Sequence, residues 1–300
     1  MNTDADLPTL VQRKDHINVL RYIRIHQLRE PNLVLSHGKA LLGEDFSRSL
    51  SDRLARLAAL EQICLAALDV QDHDNAQTCL ARLKESGIST DAVRFRRLLA
   101  RCLESAGDYN GAEIIYDDLL KENPANLIAR KRKYCILRSQ VGRESEAMEA
   151  LNACLDQDYG DTAAWYELAG YRRELGDYKG AAYALEEVIL GGAASDSKIH
   201  CELAECYATI GGLENLMLSR KHMAQALELD PDNRRAMFGL AVAANAYLEE
   251  ASAGAKKDWD DHEVAVAEEL VKYGAEQVLK KYKGSDMHSA IRILMKEYTV

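Results

Sequence analysis

The stretch GDYNGAEIIYDDLL, residues 107–120, has a near-copy, GDYKGAAYALEEVI, at residues 176–189. Between them GRESEAMEALNACL begins at Gly142, and a modified copy begins at Gly211. The four leading glycines are separated by 35, 34 and 35 residues. A fainter copy, QDHDNAQTCLARL, begins at Gln71. A fixed period of this length, filled with apolar residues at helical spacing, predicts a series of helical hairpins.

Each unit resembles the tetratricopeptide repeat (TPR) family, whose period is 34 residues. When Trp165 is counted as position 4 of its unit, the small and apolar residues that follow it stand at positions 7, 8, 15 and 20 of the family pattern. The aromatic residue usual at position 11 is displaced, since Tyr171 stands at position 10. The residues that carry the pattern along the chain are Ala100, Gly107, Ala112, Pro124, Gly142, Ala147, Trp165, Leu168, Ala169, Gly176, Ala181, Gly211, Ala226 and Pro231.

Physical chemistry explains these residue types. Alanine at positions 8 and 20 lets two antiparallel helices approach closely, and glycine at position 15 permits the left-handed backbone that ends the first helix. Proline at position 32 stops the second helix, as predicted at Pro124 and Pro231. An asparagine or aspartate shortly after each proline is suited to cap the next helix.

The predicted fold is an all-α TPR solenoid, a right-handed superhelix of antiparallel helix pairs, because such hairpins bury their apolar faces only by stacking. Residues 1–56 are predicted to form a degenerate N-terminal helical pair, whose first helix is LVQRKDHINVLRYIRI, residues 10–25. Residues 57–250 hold about five full repeats and a partial one, and residues 251–300 form closing helices. The repeats begin near Leu57, Val93, Ile128, Thr162, Ser197 and Arg234. The stretch EEASAGAKK, residues 249–257, is predicted to be a flexible excursion.

The fifth repeat carries three extra residues within IGGLENLMLSR, residues 210–220. If they follow Gly211, Ser219, Met223 and Ala226 regain the small or apolar positions 20, 24 and 27. The pattern therefore predicts a lengthened turn with the helix register unchanged.

Composition and motifs exclude several classes of function. The net charge of −10 argues against a nucleic-acid-binding protein, and no apolar run approaches the roughly 20 residues of a spanning helix. The N-terminus lacks the layout of a secretory signal, which predicts a cytosolic chain. Seven cysteines without a C-x-x-C pair predict reduced thiols and no metal site. No catalytic motif is found, so we expect no enzyme activity, no cofactor and no small-molecule substrate.

The first helix of each TPR unit turns positions 2, 5, 9 and 12 toward the concave face. This places Arg94, Arg97 and Arg101 together on one helix and predicts a groove that begins basic and ends apolar. One interpretation is an acidic partner segment bound by these arginines. The other is an internally paired, solvated face that uses Glu104 and Glu113. The candidate partner-binding residues are Arg94, Arg97, Arg101, Arg132, Lys133, Tyr166, Arg173, Phe238 and Val242.

Two segments resemble the family of ER membrane protein complex subunit 2: GGLENLMLSRKHMAQALELDPDNRRAMFGL, residues 211–240, and NLIARKRKYCILRSQVGR, residues 126–143. The resemblance implies a non-catalytic scaffold on the cytosolic face of the endoplasmic reticulum membrane, without a membrane span of its own. It implies partners among the membrane-embedded and cytosolic subunits of that complex, which inserts tail-anchored and multipass proteins.

An alternative function is a chaperone-docking TPR adaptor that binds acidic C-terminal peptides. Such recognition usually combines basic residues with asparagines at positions 6 and 9. Lys133 stands at position 6 and Arg101 at position 9, but the asparagines are missing. Dispersed histidines, including His222 beside Lys221, are predicted to lie at the surface.

Overall fold

A computed structural model describes residues 6–43, 52–253 and 260–298, and within these ranges the chain is helical and contains no strand. The chain divides into two compact units, residues 1–150 and 151–300. The prediction of an all-α fold built from consecutive helical hairpins is confirmed. Within the described ranges, no helix combines the length and the apolar character needed to cross a bilayer.

Among the described residues, the first unit holds three N-terminal helices followed by TPR hairpins, in which α4, α6 and α8 are the first helices. Its elements are α1 (Leu7–Gln12), α2 (His16–Ile25), α3 (Pro31–Gly43), α4 (Arg53–Asp69), α5 (His73–Glu85), α6 (Val93–Ser105), α7 (Tyr109–Glu122), α8 (Leu127–Ser139) and α9 (Glu144–Gln157), which continues past residue 150.

The second unit continues the alternation, with α10, α12 and α14 as first helices. Its elements are α10 (Thr162–Glu174), α11 (Tyr178–Val188), a π-helical turn (Ile189–Ala193), α12 (Ser197–Ile210), α13 (Leu213–Leu229), α14 (Arg234–Ala253), α15 (Asp261–Lys281), α16 (His288–Leu294) and a short 3₁₀ helix (Met295–Tyr298).

A glycine–aspartate pair forms the turn in the two hairpins whose sequences are most alike, α6–α7 and α10–α11. Gly107 ends α6 with φ +82°, and the carboxylate of Asp108 then accepts a hydrogen bond from the Gly111 amide at the start of α7. Gly176 and Asp177 repeat this arrangement between α10 and α11. Glycine adopts the left-handed conformation without strain, and aspartate satisfies an orphan amide of the next helix.

The small repeat positions lie where helices contact each other. No solvent-accessible surface remains on Ala100, Ala112, Ala147, Ala169, Ala181 and Ala226, while Trp165 and Leu168 are also buried. Asn123 and Asp230 cap α7 and α13 just before Pro124 and Pro231. Asn126 and Asn233 then accept hydrogen bonds from the first turns of α8 and α14.

The predicted lengthening of the fifth repeat's turn is wrong. Gly211 and Gly212 alone separate α12 from α13, with φ of +74° and +85°. The three extra residues lengthen α13 to 17 residues, where α7 has 14. Ser219, Met223 and Ala226 are nevertheless fully or almost fully buried. The register downstream is kept because the helix gains almost one whole turn.

Two further sequence expectations concern the ends of the chain. The single helix predicted over residues 10–25 is wrong, because the chain breaks between α1 and α2 at Lys14, whose φ is +54°. Of the stretch predicted as a flexible excursion, residues 249–253 belong to α14, and residues 254–257 lie outside the described residues.

An arginine buried in the second unit holds α15 against its neighbours. The guanidinium of Arg220, on α13, pairs with the carboxylate of Glu263, and its Nη1 donates to the Glu263 carbonyl oxygen at 2.9 Å. The guanidinium also lies over the ring of Tyr247, 4.5 Å from its centroid. Only 2% of the Arg220 side chain is exposed, so its charge is satisfied entirely within the protein.

Candidate functional site

Three arginines on α6 line a cleft in the first unit. Arg94, Arg97 and Arg101 follow each other at spacings of three and four, which places them on one helical face. The cleft has a volume of about 220 Å³, and Leu65, Leu98, Tyr116, Ile128 and Arg132 complete much of its wall. We refer to it below as the basic cleft. Its chemistry combines guanidinium groups with aliphatic and aromatic surface.

Most of these arginines have an acidic partner on a neighbouring first helix. Arg94 pairs with Glu61 of α4, and this hydrogen-bonded contact raises the pKa of Arg94. Arg101 lies 3.7 Å from a carboxylate oxygen of Asp69. Such pairs between adjacent repeats offset much of the positive charge.

Arg132 of α8, at the wall of the basic cleft, is held by Glu104 of α6. Its Nε donates to Oε1 of Glu104 at 3.2 Å, and its Nη2 contacts Oε2 of the same carboxylate. The hydroxyl of Tyr116 donates to Glu104 Oε1 at 2.6 Å. Burial, together with the charge of Arg101, lowers the pKa of Arg132. Only 9% of the Glu104 side chain is exposed, so this carboxylate is committed to the fold.

Arg97 differs from the other arginines of the basic cleft. It forms no hydrogen bond or ion pair with any residue in ranges 6–43, 52–253 and 260–298. Its side chain is partly exposed and lies close enough to Tyr116 to oppose the rise in that phenol's pKa that burial causes. Arg97 is therefore the guanidinium in this cleft most available to an external carboxylate.

Lys133 lies on another side of α8 from Arg132. Its Nζ is 2.5 Å from Oδ1 of Asp117 and 3.9 Å from Oε1 of Glu113, both on α7. Glu113 also accepts two hydrogen bonds from Arg143, at 2.8 and 3.1 Å. The structure therefore does not bring Lys133 together with the arginines of the basic cleft. The internal pairing that the sequence suggested for Glu104 and Glu113 is present, but on two separate surfaces.

Sequence reasoning did not identify an apolar cavity beside the basic cleft. It measures about 310 Å³ and is formed by α2, the turn before α3, and α4, with Ile23, Leu28 and Leu65 among its walls. Arg24 and Arg94 border it, and burial followed by the charges of Arg21 and Arg94 lowers the pKa of Arg24. The N-terminal helices lack the repeat pattern, so repeat position gave no signal for these residues.

In the second unit, two of the predicted residues converge on a buried acid. The Tyr166 hydroxyl donates to Glu202 Oε1 at 3.0 Å, and Arg173 Nη2 lies 3.2 Å from Glu202 Oε2. Lys198 is 3.8 Å from the same carboxylate, of which 5% is exposed. Glu202 was missed because a lone glutamate in a helical pattern usually faces solvent.

The apolar residues predicted for the groove lie on α14. Phe238 is 37% exposed, and Val242, one helical turn later, is partly buried. On the same helix, the guanidinium of Arg235 forms a bidentate pair with Glu205 of α12. This surface of α14 therefore presents an exposed aromatic ring and an arginine whose charge is neutralised by Glu205.

His222, predicted to lie at the surface, is partly exposed and packs with one face against its neighbours. Its Nδ1 lies 3.0 Å from Nδ1 of His200, and its ring stacks on that of Tyr207 with centroids 5.9 Å apart. Burial, followed by the proximity of His200, lowers the pKa of His222. The interaction spans α12 and α13, and its 22-residue separation gives no signal in a sequence read without contacts.

Comparison with known proteins finds similarity over most of the chain. Residues 87–215 match the family described as EMC2 TPR-like repeat domain. The chain is 38% identical to ER membrane protein complex subunit 2-A of Xenopus laevis over 261 residues, covering 87% of this chain and 83% of that protein. It is 34% identical to ER membrane protein complex subunit 2 of Dictyostelium discoideum over 213 residues, covering 71% and 65% respectively. The resemblance seen in residues 126–143 and 211–240 is confirmed.

A solved structure supports the fold. The C-terminal part of a TPR repeat-containing protein from Cytophaga hutchinsonii covers 95% of this chain and 97% of its own length, with a TM-score of 0.54. Sequence identity is 11%, so the likeness concerns the fold alone.

Proposed function

Because the chain belongs to the family of ER membrane protein complex subunit 2, we propose that it is a non-catalytic scaffold subunit of such a complex. Its partners are the membrane-embedded and cytosolic subunits, and its place is the cytosolic face of the endoplasmic reticulum membrane. There it holds together the machinery that inserts tail-anchored and multipass proteins. The observation that carries this proposal is the 38% identity that extends over 87% of the chain.

The basic cleft is the surface we assign to an acidic segment of a partner subunit. Arg97 provides an uncompensated guanidinium, while Tyr116 and Ile128 provide surface for apolar side chains of the same segment. The neighbouring arginines are already held in place by Glu61, Asp69 and Glu104, so the loss of side-chain entropy when a partner binds falls mainly on Arg97. In the second unit, Tyr166 and Arg173 on α10, and Phe238 and Val242 on α14, remain candidate contact residues.

Co-purification tests the scaffold proposal. The tagged full-length chain is expressed in its own organism, and membranes are solubilised in a mild detergent before affinity capture and mass spectrometry. We expect recovery of several membrane-embedded subunits together with cytosolic ones. Recovery of the chain as a free monomer would contradict the proposal.

Site-specific crosslinking tests the role of the basic cleft separately. A photoreactive amino acid replaces Ile128, which lines the cleft, or Ile114, an exposed isoleucine of α7 that serves as the matched control. We expect the probe at position 128 to crosslink to an Asp- and Glu-rich segment of one subunit, and the probe at 114 not to reach that segment. If co-purification succeeds but position 128 captures nothing, only the assignment of the cleft is wrong.

The chaperone-docking alternative makes a different prediction for the same cleft. An acidic C-terminal heat-shock-protein peptide, titrated into the isolated full-length chain, would have to bind with micromolar affinity. The pairing of Lys133 with α7 removes one of the basic groups on which that alternative depends. We therefore expect no saturable binding in the micromolar range.

A further inference from the structure

Two exposed tyrosines form an aromatic surface in the second unit. Tyr159, before α10, and Tyr183, on α11, are 57% and 47% exposed, and their hydroxyl oxygens lie 3.2 Å apart. The ring of Trp165 makes an edge contact with each of them, with centroids 5.2 and 5.8 Å apart. The indole N–H of Trp165 also donates to the Tyr159 carbonyl oxygen at 2.9 Å. These contacts fix the positions of the two phenol rings and leave part of each ring open to solvent.

The aromatic surface continues along one face of α11. Glu187 follows Tyr183 by four residues, and Leu190 follows Glu187 by three, so the three side chains share a helical face. Leu190 is 79% exposed and lies in the π-helical turn, which the Thr162 hydroxyl ties to the start of α10 by donating to the Gly191 carbonyl oxygen at 3.3 Å. We define the tyrosine surface by four residues: Tyr159, Tyr183, Glu187 and Leu190.

The chain around the tyrosine surface is acidic. Residues 151–197 contain nine acidic residues and only three basic ones. Arg172 and Arg173 are each paired with an acid, and Lys179 lies about two helical turns from Glu187 on α11. The local charge is therefore opposite in sign to that of the arginines in the basic cleft.

Glu187 places a negative charge beside the exposed rings. In the parts of the chain that the structure describes, it forms no ion pair. Hydrogen bonding by Tyr183, followed by Glu187, raises the pKa of the Tyr159 phenol, so this phenol is uncharged at neutral pH. The tyrosine surface thus offers an uncompensated carboxylate, neutral aromatic rings and an exposed aliphatic side chain.

We propose that the tyrosine surface binds an arginine-bearing segment of a partner protein. A guanidinium stacks on the face of an exposed phenol ring and donates charge-assisted hydrogen bonds to Glu187. An apolar side chain next to the arginine covers Leu190. Arginine fits this surface better than lysine because its planar group stacks and donates hydrogen bonds at the same time. An acidic segment or an anionic lipid surface is repelled by the surrounding carboxylates.

Photo-crosslinking in intact cells tests the proposal. A photoreactive amino acid replaces Leu190 in the full-length chain, or Leu175 as the matched control, which is 60% exposed and lies at the opposite end of the α10–α11 hairpin. Tandem mass spectrometry then identifies the crosslinked residue of the partner. We expect position 190 to capture one defined segment with an arginine within about four residues, or one helical turn, of the crosslink. The probe at position 175 should not reach that segment.

Variants made together with the probe at position 190 identify the contacts. Tyr183→Phe keeps the ring and should retain the crosslink, whereas Tyr183→Ser should reduce its yield about ten-fold. Glu187→Lys should reduce the yield by a similar factor. Glu268→Lys, the same change of charge at an exposed position of α15, should leave it unchanged. Each variant should keep the unfolding temperature of the unmodified chain, because the substituted side chains lie at the surface.

Several outcomes would overturn the proposal: no crosslink at position 190, a crosslink to lipid or to an Asp- and Glu-rich segment, or equal yields with Glu187→Lys and Glu268→Lys. The captured partner need not be a subunit of a membrane complex. Failure of co-purification would therefore contradict the scaffold proposal and leave this one standing, whereas loss of the crosslink would contradict this one alone.

Discussion

Arg220 in the second unit and Arg97 in the first illustrate two uses of the same side chain. Arg220 is 2% exposed, paired with Glu263 and stacked on Tyr247. Arg97 is partly exposed and, among the residues described, has no acidic partner and no hydrogen bond. The guanidinium of Arg220 stabilises the fold, whereas the N–H donors of Arg97 remain available to another molecule.

The difference teaches that an arginine count does not define a binding surface. In the basic cleft, Arg94, Arg101 and Arg132 are each paired with an acid of the same unit. The sequence allowed two interpretations, an acidic partner or an internally paired face. The internally paired face describes Arg94, Arg101 and Arg132, whereas only Arg97 among these four arginines is still available to an acidic partner.

The largest expected effect comes from breaking the buried pair. Glu263→Gln leaves the Arg220 charge buried without its carboxylate, and we expect the free energy of unfolding to fall by about 3 kcal/mol. Arg220→Met removes the buried charge as well, and the remaining Glu263 carboxylate is 29% exposed to water, so a loss of about 1 kcal/mol is expected. Urea unfolding of both variants measures the difference.

Glu268→Gln is the matched control, since Glu268 is an exposed glutamate on the same helix, α15. Its unfolding free energy should stay within about 0.5 kcal/mol of the unmodified protein. If Glu263→Gln and Arg220→Met lost the same free energy of unfolding, the charge of Arg220 would not depend on Glu263. The contrast between a paired Arg220 and an unpaired Arg97 would then be wrong.

A smaller effect is expected at the paired edge of the basic cleft. Glu104→Gln removes the charge that Arg132 contacts and weakens the acceptor for the Tyr116 hydroxyl, which should cost about 1.5 kcal/mol. Asp118→Asn is the control, because Asp118 pairs with Lys121 on the exposed face of α7. Surface pairs of this kind contribute about 0–1 kcal/mol, so thermal unfolding should separate the two variants.

The environment of His222 in the second unit also predicts that the free energy of unfolding depends on pH. The pKa of His222 is lowered in the folded state, so below a pH of about 6.5 the unfolded chain binds more protons than the folded one. The free energy of unfolding should therefore fall as the pH drops from 7 toward 5, by at most about 1.4 kcal/mol per pH unit for this one group. His37, in the first unit, contributes in the same direction.

Unfolding measured across this pH range distinguishes His222 from exposed histidines. His222→Gln should reduce the slope of unfolding free energy against pH, whereas His262→Gln, at an exposed position of α15, should leave it unchanged. An unchanged slope in His222→Gln would mean that protonation of His222 is not linked to folding.

The smallest effect on stability is expected at Arg97 itself. Arg97→Ala removes no ion pair or hydrogen bond within the described residues, so the unfolding free energy should change by less than about 0.5 kcal/mol. If chemical unfolding showed that the free energy of unfolding falls by more than about 1 kcal/mol, Arg97 would have a structural role like that of Arg220.

The repeat pattern predicted much of this architecture because local rules determine it. The helices that begin at Val93, Thr162, Ser197 and Arg234 start at the predicted residues, since glycine, aspartate and proline mark the ends of each hairpin. The break at Lys14 was missed because lysine rarely adopts positive φ. The longer α13 was missed because two glycines in sequence favour a long turn over a long helix.

The candidate site was predicted less completely. Repeat position identified the arginines of α6 and α8, but it gave no information on their pairing. Glu104 and Arg132 are 28 residues apart, and Arg220 and Glu263 are separated by 43. Whether a charge is free or compensated depends on such contacts between helices, which hydrophobic periodicity does not record.

The most direct test of the central claim is co-purification of partner subunits with Arg97→Glu, compared with the unmodified chain and with Lys84→Glu. Lys84 is an exposed lysine of α5, in the same unit, and receives the same change of charge. We predict that Arg97→Glu keeps its unfolding temperature yet loses at least one subunit by about ten-fold, while Lys84→Glu retains it. Equal recovery of all subunits with the three chains would contradict the claim that Arg97 is held available for an acidic partner.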